Sequence, residues 1–134
     1  MAISYSENIM KKILVVDDDI HATTLFETLF SAKGFEALIV NDSETAVDVA
    51  KSEKPDLIIL DLMMPEPNGF EVCRKLRADP KFSNIPIVIF TAMGDNESKE
   101  AALEAGADEF LTKPFRVEDL MQRIRALINP AKQV

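Results

Sequence analysis

Five short apolar runs, each followed by a stretch with helical spacing, constrain the fold of this chain more than any other feature. The runs cover residues 13–16, 35–40, 57–60, 86–90 and 109–111. The run Leu57-Ile58-Ile59-Leu60 shows no polar alternation, which is typical of a strand buried on both faces of a sheet. Strands that alternate with helices form a parallel sheet covered on both faces. We therefore predict an α/β fold with a doubly wound, five-stranded parallel sheet.

The stretches between these runs carry apolar residues at the spacing of one helix face. The first helix is predicted to bury Ala22, Leu25, Phe26, Leu29 and Phe30, and the last to bury Val117, Leu120, Ile124, Leu127 and Ile128. Asp19 stands where an N-cap is expected, and Gly34 is predicted to end the first helix.

Length and composition limit the classes of function. The 134 residues fit one domain, and a single cysteine excludes an internal disulfide, which favours a reducing, cytoplasmic setting. The net charge of −8 argues against a nucleic-acid partner. No apolar run approaches the length of a membrane span, so no membrane contact is expected.

Polar side chains follow four of the five predicted strands. Asp17 and Asp18 follow the first strand, Asp61 the third, Thr91 the fourth and Lys113 the fifth. Because parallel strands end at the same edge of a sheet, these side chains should meet there. Clustered carboxylates repel one another unless a cation neutralises them, and oxygen ligands without His or Cys favour Mg²⁺.

An aspartate beside a divalent cation and a lysine is a plausible nucleophile toward a phosphoryl group. Thr91 can donate to a phosphoryl oxygen, and Lys113 supplies positive charge. Each residue also has an ordinary explanation: Asp61 as a turn residue, Thr91 as a β-favouring residue and Lys113 as a solvated surface lysine. The order of these residue types, each at a strand end, is what favours the chemistry.

With these residues the chain resembles the receiver domain of two-component response regulators. The motifs that carry the resemblance lie at residues 16–18, 60–61, 64–65, 69, 90–92 and 110–115. The resemblance covers residues 11–129 and leaves tails at 1–10 and 130–134. It implies the flavodoxin-like strand order 2-1-3-4-5. Because the chain stops at Val134, a stand-alone receiver is expected.

The resemblance also implies the roles of the site residues. Asp61 would accept a phosphoryl group from a histidine kinase or a phosphotransfer protein, and Thr91 and Lys113 would bind the phosphoryl oxygens. Asp18, Asp61 and the backbone carbonyl of Met63 would ligate Mg²⁺, while Asp17 would orient a metal-bound water.

The resemblance further implies a signalling switch rather than an enzyme with a separate substrate. Thr91 and Phe110 would move together on phosphorylation and change the binding of a downstream protein. The Lys113–Pro114 peptide bond would be cis.

Two residues bear on how long the phosphorylated state lasts. Met63 and Met93 stand two positions after Asp61 and Thr91, where receiver-like side chains flank the approach of water. A thioether orients water poorly, so slow self-dephosphorylation is predicted. The alternative is that both methionines only pack.

Two other classes share parts of this pattern. A haloacid-dehalogenase-type phosphatase would need a second aspartate where Met63 stands. A flavin-binding protein with the same strand order would need a phosphate loop after the first strand, where Asp17, Asp18 and Asp19 would repel a phosphate. A degenerate receiver that is never phosphorylated is disfavoured only by the intact site residues.

Overall fold

The computed structural model describes residues 10–92 and 94–128. Its five strands are β1 (Lys12–Val16), β2 (Glu36–Val40), β3 (Leu57–Asp61), β4 (Ile87–Thr91) and β5 (Glu109–Thr112). All strand pairs are parallel, and the order is β2-β1-β3-β4-β5. The predicted fold class and the strand order 2-1-3-4-5 are confirmed.

Five helices connect and follow these strands. They are α1 (Ile20–Ala32), α2 (Ala46–Glu53), α3 (Gly69–Ala78), α4 (Asn96–Glu104) and α5 (Val117–Ile128). Short 3₁₀ turns at Ser43–Thr45 and Pro80–Phe82 precede α2 and β4. None of the helices in the described part of the chain is long and apolar enough to cross a membrane.

Alternate residues of each central strand point to opposite faces of the sheet, and each face has its own core. Leu14, Val16, Ile58 and Leu60 pack with residues of α2, α3 and α4. Ile13, Val15, Leu57 and Ile59 pack with residues of α1 and α5. Burial on both faces explains why the strand sequences lack polar alternation.

The stripe predicted for α1 is only partly correct. Phe26 and Phe30 are buried, but Leu25 is 72% exposed. In α5, Val117 is 46% exposed whereas Leu120 and Ile124 are buried. The buried stripe is narrower than the sequence predicts because Leu25 and Val117 line an open groove between α1 and the β5–α5 loop.

The predicted ends of α1 agree with the structure. The Asp19 side chain accepts a hydrogen bond from the amide of His21, as an N-cap does. Gly34 follows the helix with a φ of +89°, a conformation that suits glycine. The predicted tail 130–134, and residues 1–9 of the other tail, lie outside the described residues.

Arg77 joins α3 to the amino-terminal side of the sheet. Its guanidinium donates to the carbonyls of Phe82 and Ile85, at 2.7 Å each, and to that of Gly106, at 2.9 Å. It also pairs with Asp108 at 2.9 Å. These bonds satisfy backbone carbonyl groups in two loops, which lie outside the sheet and its hydrogen bonds.

Candidate functional site

The carboxyl-terminal edge of the sheet brings the predicted residues together. Asp17 follows β1 and is fully buried, and Asp61 ends β3 with 5% of its surface exposed. Thr91 ends β4 and is fully buried, while Lys113 follows β5 and is partly exposed. Because β1, β3, β4 and β5 are consecutive neighbours, their ends form one continuous site.

Asp17, Asp18 and Asp61 form an acidic cluster. One carboxylate oxygen from each lies within 4.8 Å of the others, which is a spacing that a metal ion could bridge. The Oδ1 atom of Asp17 accepts the amide of Asp19 at 2.9 Å. Its Oδ2 atom is buried without a hydrogen-bond partner. A buried carboxylate oxygen that accepts no hydrogen bond is costly unless positive charge compensates it.

Lys113 supplies positive charge on one side of this cluster. Its Nζ lies 3.7 Å from Oδ2 of Asp17 and 4.6 Å from the centroid of the Phe90 ring. Its amide donates to the carbonyl of Thr91 at 2.8 Å, which ties the ends of β4 and β5 together. The Lys113–Pro114 bond is cis, as the resemblance implies.

The surroundings of Asp61 change the pKa of its carboxyl group. Burial, and then the neighbouring negative charge of Asp17, raise the pKa of Asp61 from 3.8 to about 7. Lys113 and the amide of Met63, which donates to Asp61 Oδ1 at 3.2 Å, act in the opposite direction. Added positive charge at the cluster would favour the ionised form of Asp61.

The loop between β3 and α3 is held against Asp61 by Gly69. A Cβ atom at Gly69 would lie 2.6 Å from the Asp61 carbonyl oxygen and 2.8 Å from Cα of Leu62. The loop ends in a capping box, in which Asn68 and Glu71 exchange side-chain and backbone hydrogen bonds. Only glycine therefore allows α3 to begin this close to the site.

The other predicted residues are Phe110, Met63 and Met93. Phe110 is partly buried and packs against the core under α2, α3 and α4. Met63 is 55% exposed beside the acidic cluster. Met93, which the sequence predicts to flank the approach of water, lies outside the described residues.

Two contributions escape sequence reasoning. Phe90 places its ring beneath Lys113, although the sequence marks it only as the residue before Thr91. Asn41 donates to the carbonyl of Asp17 and to the hydroxyl of Thr23, which lie 24 and 18 residues away. No motif or spacing points to such contacts, because they depend on how β2 ends beside β1.

The fold and this site define the class of protein. The family model of the response regulator receiver domain matches residues 13–125, so the chain belongs to that family. A putative response regulator from Chloroflexus aurantiacus has the same fold, with a TM-score of 0.84 and 31% identity over 89% of this chain and 98% of that one. The chemotaxis protein CheY4 of Vibrio cholerae gives a TM-score of 0.83 and 30% identity over 88% of this chain and 98% of that one.

Curated relatives show similar agreement in sequence. The chain is 44% identical to a probable transcriptional regulator, ycf27, of Cyanophora paradoxa, over 89% of this chain and 48% of that protein. It is 39% identical to the DNA-binding response regulator MtrA of Mycobacterium bovis, over 92% of this chain and 53% of that protein. The chain thus spans about half the length of these relatives.

These relatives correct one prediction. The expectation of no nucleic-acid partner is wrong, because it took the net charge of −8 as evidence about every partner, whereas MtrA is named a DNA-binding response regulator. The charge of one acidic domain describes the surface of that domain. It does not report on what a protein of this family binds through other residues.

Proposed function

We propose that this receiver domain accepts a phosphoryl group on Asp61 from the phosphohistidine of a histidine kinase or a phosphotransfer protein. The observation that carries the proposal is the position of Asp61 at the end of β3, with Asp17, Asp18 and Lys113 gathered around it. We take the domain to span residues 11–129. A role as a switch, rather than as an enzyme with a separate substrate, is part of the same proposal.

The residues of the acidic cluster fit a Mg²⁺ ion. Three carboxylates meet there, and Oδ2 of buried Asp17, which accepts no hydrogen bond, is the kind of atom that a hard cation or its bound water satisfies. Asp18, Asp61 and the backbone carbonyl of Met63 would hold the ion, and Asp17 would orient one of its waters. Mg²⁺ would supply charge neutralisation and alignment of the phosphoryl oxygens.

In the transfer step, a carboxylate oxygen of Asp61 attacks phosphorus. A P–O bond forms as the P–N bond to the donor histidine breaks, and the electron pair leaves with the imidazole. The hydroxyl of Thr91 and the ammonium of Lys113 would bind the phosphoryl oxygens. Lys113 already lies beside the cluster, with its Nζ 3.7 Å from Asp17 Oδ2 and over the ring of Phe90.

A groove next to Lys113 supports the approach of a protein phosphodonor. It has a volume of about 730 Å³ and lies between α1 and the β5–α5 loop. Its walls include Leu25, Phe26 and Phe115, and Ile20 beside it is 64% exposed. An apolar face beside Lys113 would let a donor helix dock with its histidine directed toward Asp61.

Phosphorylation would then shift a conformational equilibrium. The new phosphoryl oxygens favour one position of Thr91, and the partly buried ring of Phe110 would follow. The surface that changes would comprise α4, β5 and α5, and the downstream response would be DNA binding, as the name of MtrA suggests. Relaxation-dispersion NMR with a phosphoryl mimic tests this proposal, and shifts confined to the Asp61 loop would contradict it.

The phosphoacceptor is tested by mass spectrometry of the intact protein. Acetyl phosphate and Mg²⁺ should add one phosphoryl group to the parent and none to Asp61→Asn. Glu27→Gln, which removes an exposed carboxylate from α1, is the matched control and should behave as the parent. Equal labelling of the parent and Asp61→Asn would refute the assignment.

A further inference from the structure

We infer that Asn41 is a positioning residue that holds the Asp17–Asp18 turn in place for Mg²⁺. The inference rests on the proposed function, because it concerns the same acidic cluster. Asn41 directly follows β2, at the edge of the sheet where the site lies. Its side-chain amide donates to the backbone carbonyl of Asp17 at 2.9 Å and to Oγ1 of Thr23 at 3.0 Å.

These two contacts hold both ends of the turn that carries the acidic residues. The turn comprises only residues 17–19, between the end of β1 and the start of α1. The Asp17 carbonyl is at its beginning, and Thr23 lies in the first turn of α1 just after it. Thr23 is buried, and its hydroxyl donates in turn to the carbonyl of Ile20 at 3.1 Å. One amide therefore connects the strand end and the helix start.

The turn needs such a restraint because its side chains repel one another. Asp17, Asp18 and Asp61 place three carboxylates within 4.8 Å, and separation of the turn from β3 would relieve that repulsion. Asp18 is exposed, so its position depends on the backbone on either side of it. The amide of Asp17 continues the sheet by donating to the carbonyl of Val40 at 3.0 Å. Asn41 binds the carbonyl of Asp17, which is the next backbone group toward Asp18.

The chemistry of the asparagine amide suits this role. It offers two N–H donors and no charge, so it can restrain the turn without competing with a cation for the carboxylates. A lysine at the same place would pair with the acidic side chains instead. Residues that orient metal ligands in this way typically change metal affinity by about tenfold or more when removed.

The test is a Mg²⁺ titration of the folded protein, followed by the amide NMR shifts of residues 17–19. Asn41→Ala should weaken Mg²⁺ binding by about tenfold. Thr23→Val keeps the shape of the side chain but removes its hydroxyl, and with it both the contact from Asn41 and the bond to the Ile20 carbonyl. It should weaken Mg²⁺ binding by about threefold, the size of one neutral hydrogen bond. Asn84→Ala, at an exposed asparagine before β4 on the opposite edge of the sheet, should bind as the parent does.

Thermal melts in EDTA and in saturating Mg²⁺ separate positioning from simple stability. A merely structural role would lower both melting temperatures equally and leave the Mg²⁺ affinity unchanged, which would overturn the inference. If Asn41→Ala fails to fold, Thr23→Val provides the test. A parent-like Mg²⁺ affinity for Thr23→Val would then refute the positioning role of Asn41. If the parent itself does not bind Mg²⁺, or if Asp18→Ala binds it equally well, the proposed metal site fails and the inference fails with it.

Discussion

Replacement of Asp61 by asparagine should stabilise the metal-free protein, and the gain should grow with pH. The pKa of Asp61 rises from 3.8 to about 7 because the carboxyl group is buried and faces Asp17. Between these two pH values the folded state binds more protons than the unfolded state, so stability falls as the pH rises. Above about pH 7 the full cost of an ionised Asp61 is present.

The magnitude follows from the size of the pKa change. About three pKa units correspond to roughly 4 kcal/mol between the two protonation states. Asparagine removes the charge but keeps a buried polar group, and it loses the attraction of Lys113. We therefore expect Asp61→Asn to raise the free energy of unfolding by ~2 kcal/mol at pH 8, which is half of the cost of the ionised Asp61. For a domain of this size, that corresponds to a rise in melting temperature of roughly 7 °C.

The assay compares urea unfolding of the parent and Asp61→Asn in EDTA from about pH 4 to pH 8. The difference between their free energies of unfolding should be near zero at about pH 4, grow between pH 4 and pH 7, and then level off. Saturating Mg²⁺ should reduce it, since the ion stabilises only the parent site. Glu27→Gln, which removes an exposed carboxylate from α1, is the matched control. A difference between parent and variant that is constant across this range, or a variant less stable at pH 8, would refute the reasoning.

Three further changes test other parts of the structure. Gly69→Ala should cost about 2 kcal/mol and impair phosphorylation, because its Cβ would strike the Asp61 carbonyl oxygen; parent-like melting and labelling would contradict this. Arg77→Met should cost roughly 3 kcal/mol in urea unfolding, since three backbone carbonyls lose a charged donor; a loss below about 1 kcal/mol would mean that water replaces it. Polar groups at two methionines, Met63→Asn with Met93→Glu, should speed loss of the phosphoryl group about tenfold, ~1.4 kcal/mol in the barrier. Decay of phosphorylated protein in excess Mg²⁺ without kinase measures this, and an unchanged rate would remove the methionines from the mechanism.

Much of this molecule could be predicted from the order of residue types along the chain. Apolar runs without polar alternation require strands buried on both faces, and their alternation with helices requires a parallel sheet. Since parallel strands end at one edge, Asp17, Asp61, Thr91 and Lys113 had to meet once the strands were recognised. This part depends only on local pattern and on a general rule of parallel sheets.

The tertiary structure alone decided how these residues interact. It leaves Oδ2 of Asp17 without a hydrogen bond and places the Lys113 ammonium near both that atom and the ring of Phe90. It also brings Asn41 to the turn that carries Asp18. It also leaves Leu25 exposed on a helix whose spacing predicts burial. These features arise from side-chain rotamers and from contacts between segments far apart in sequence, and no periodicity encodes them. The physical reason is that a repeat along the chain specifies which face a residue takes, whereas pairing and exposure depend on the neighbour that the fold places opposite it.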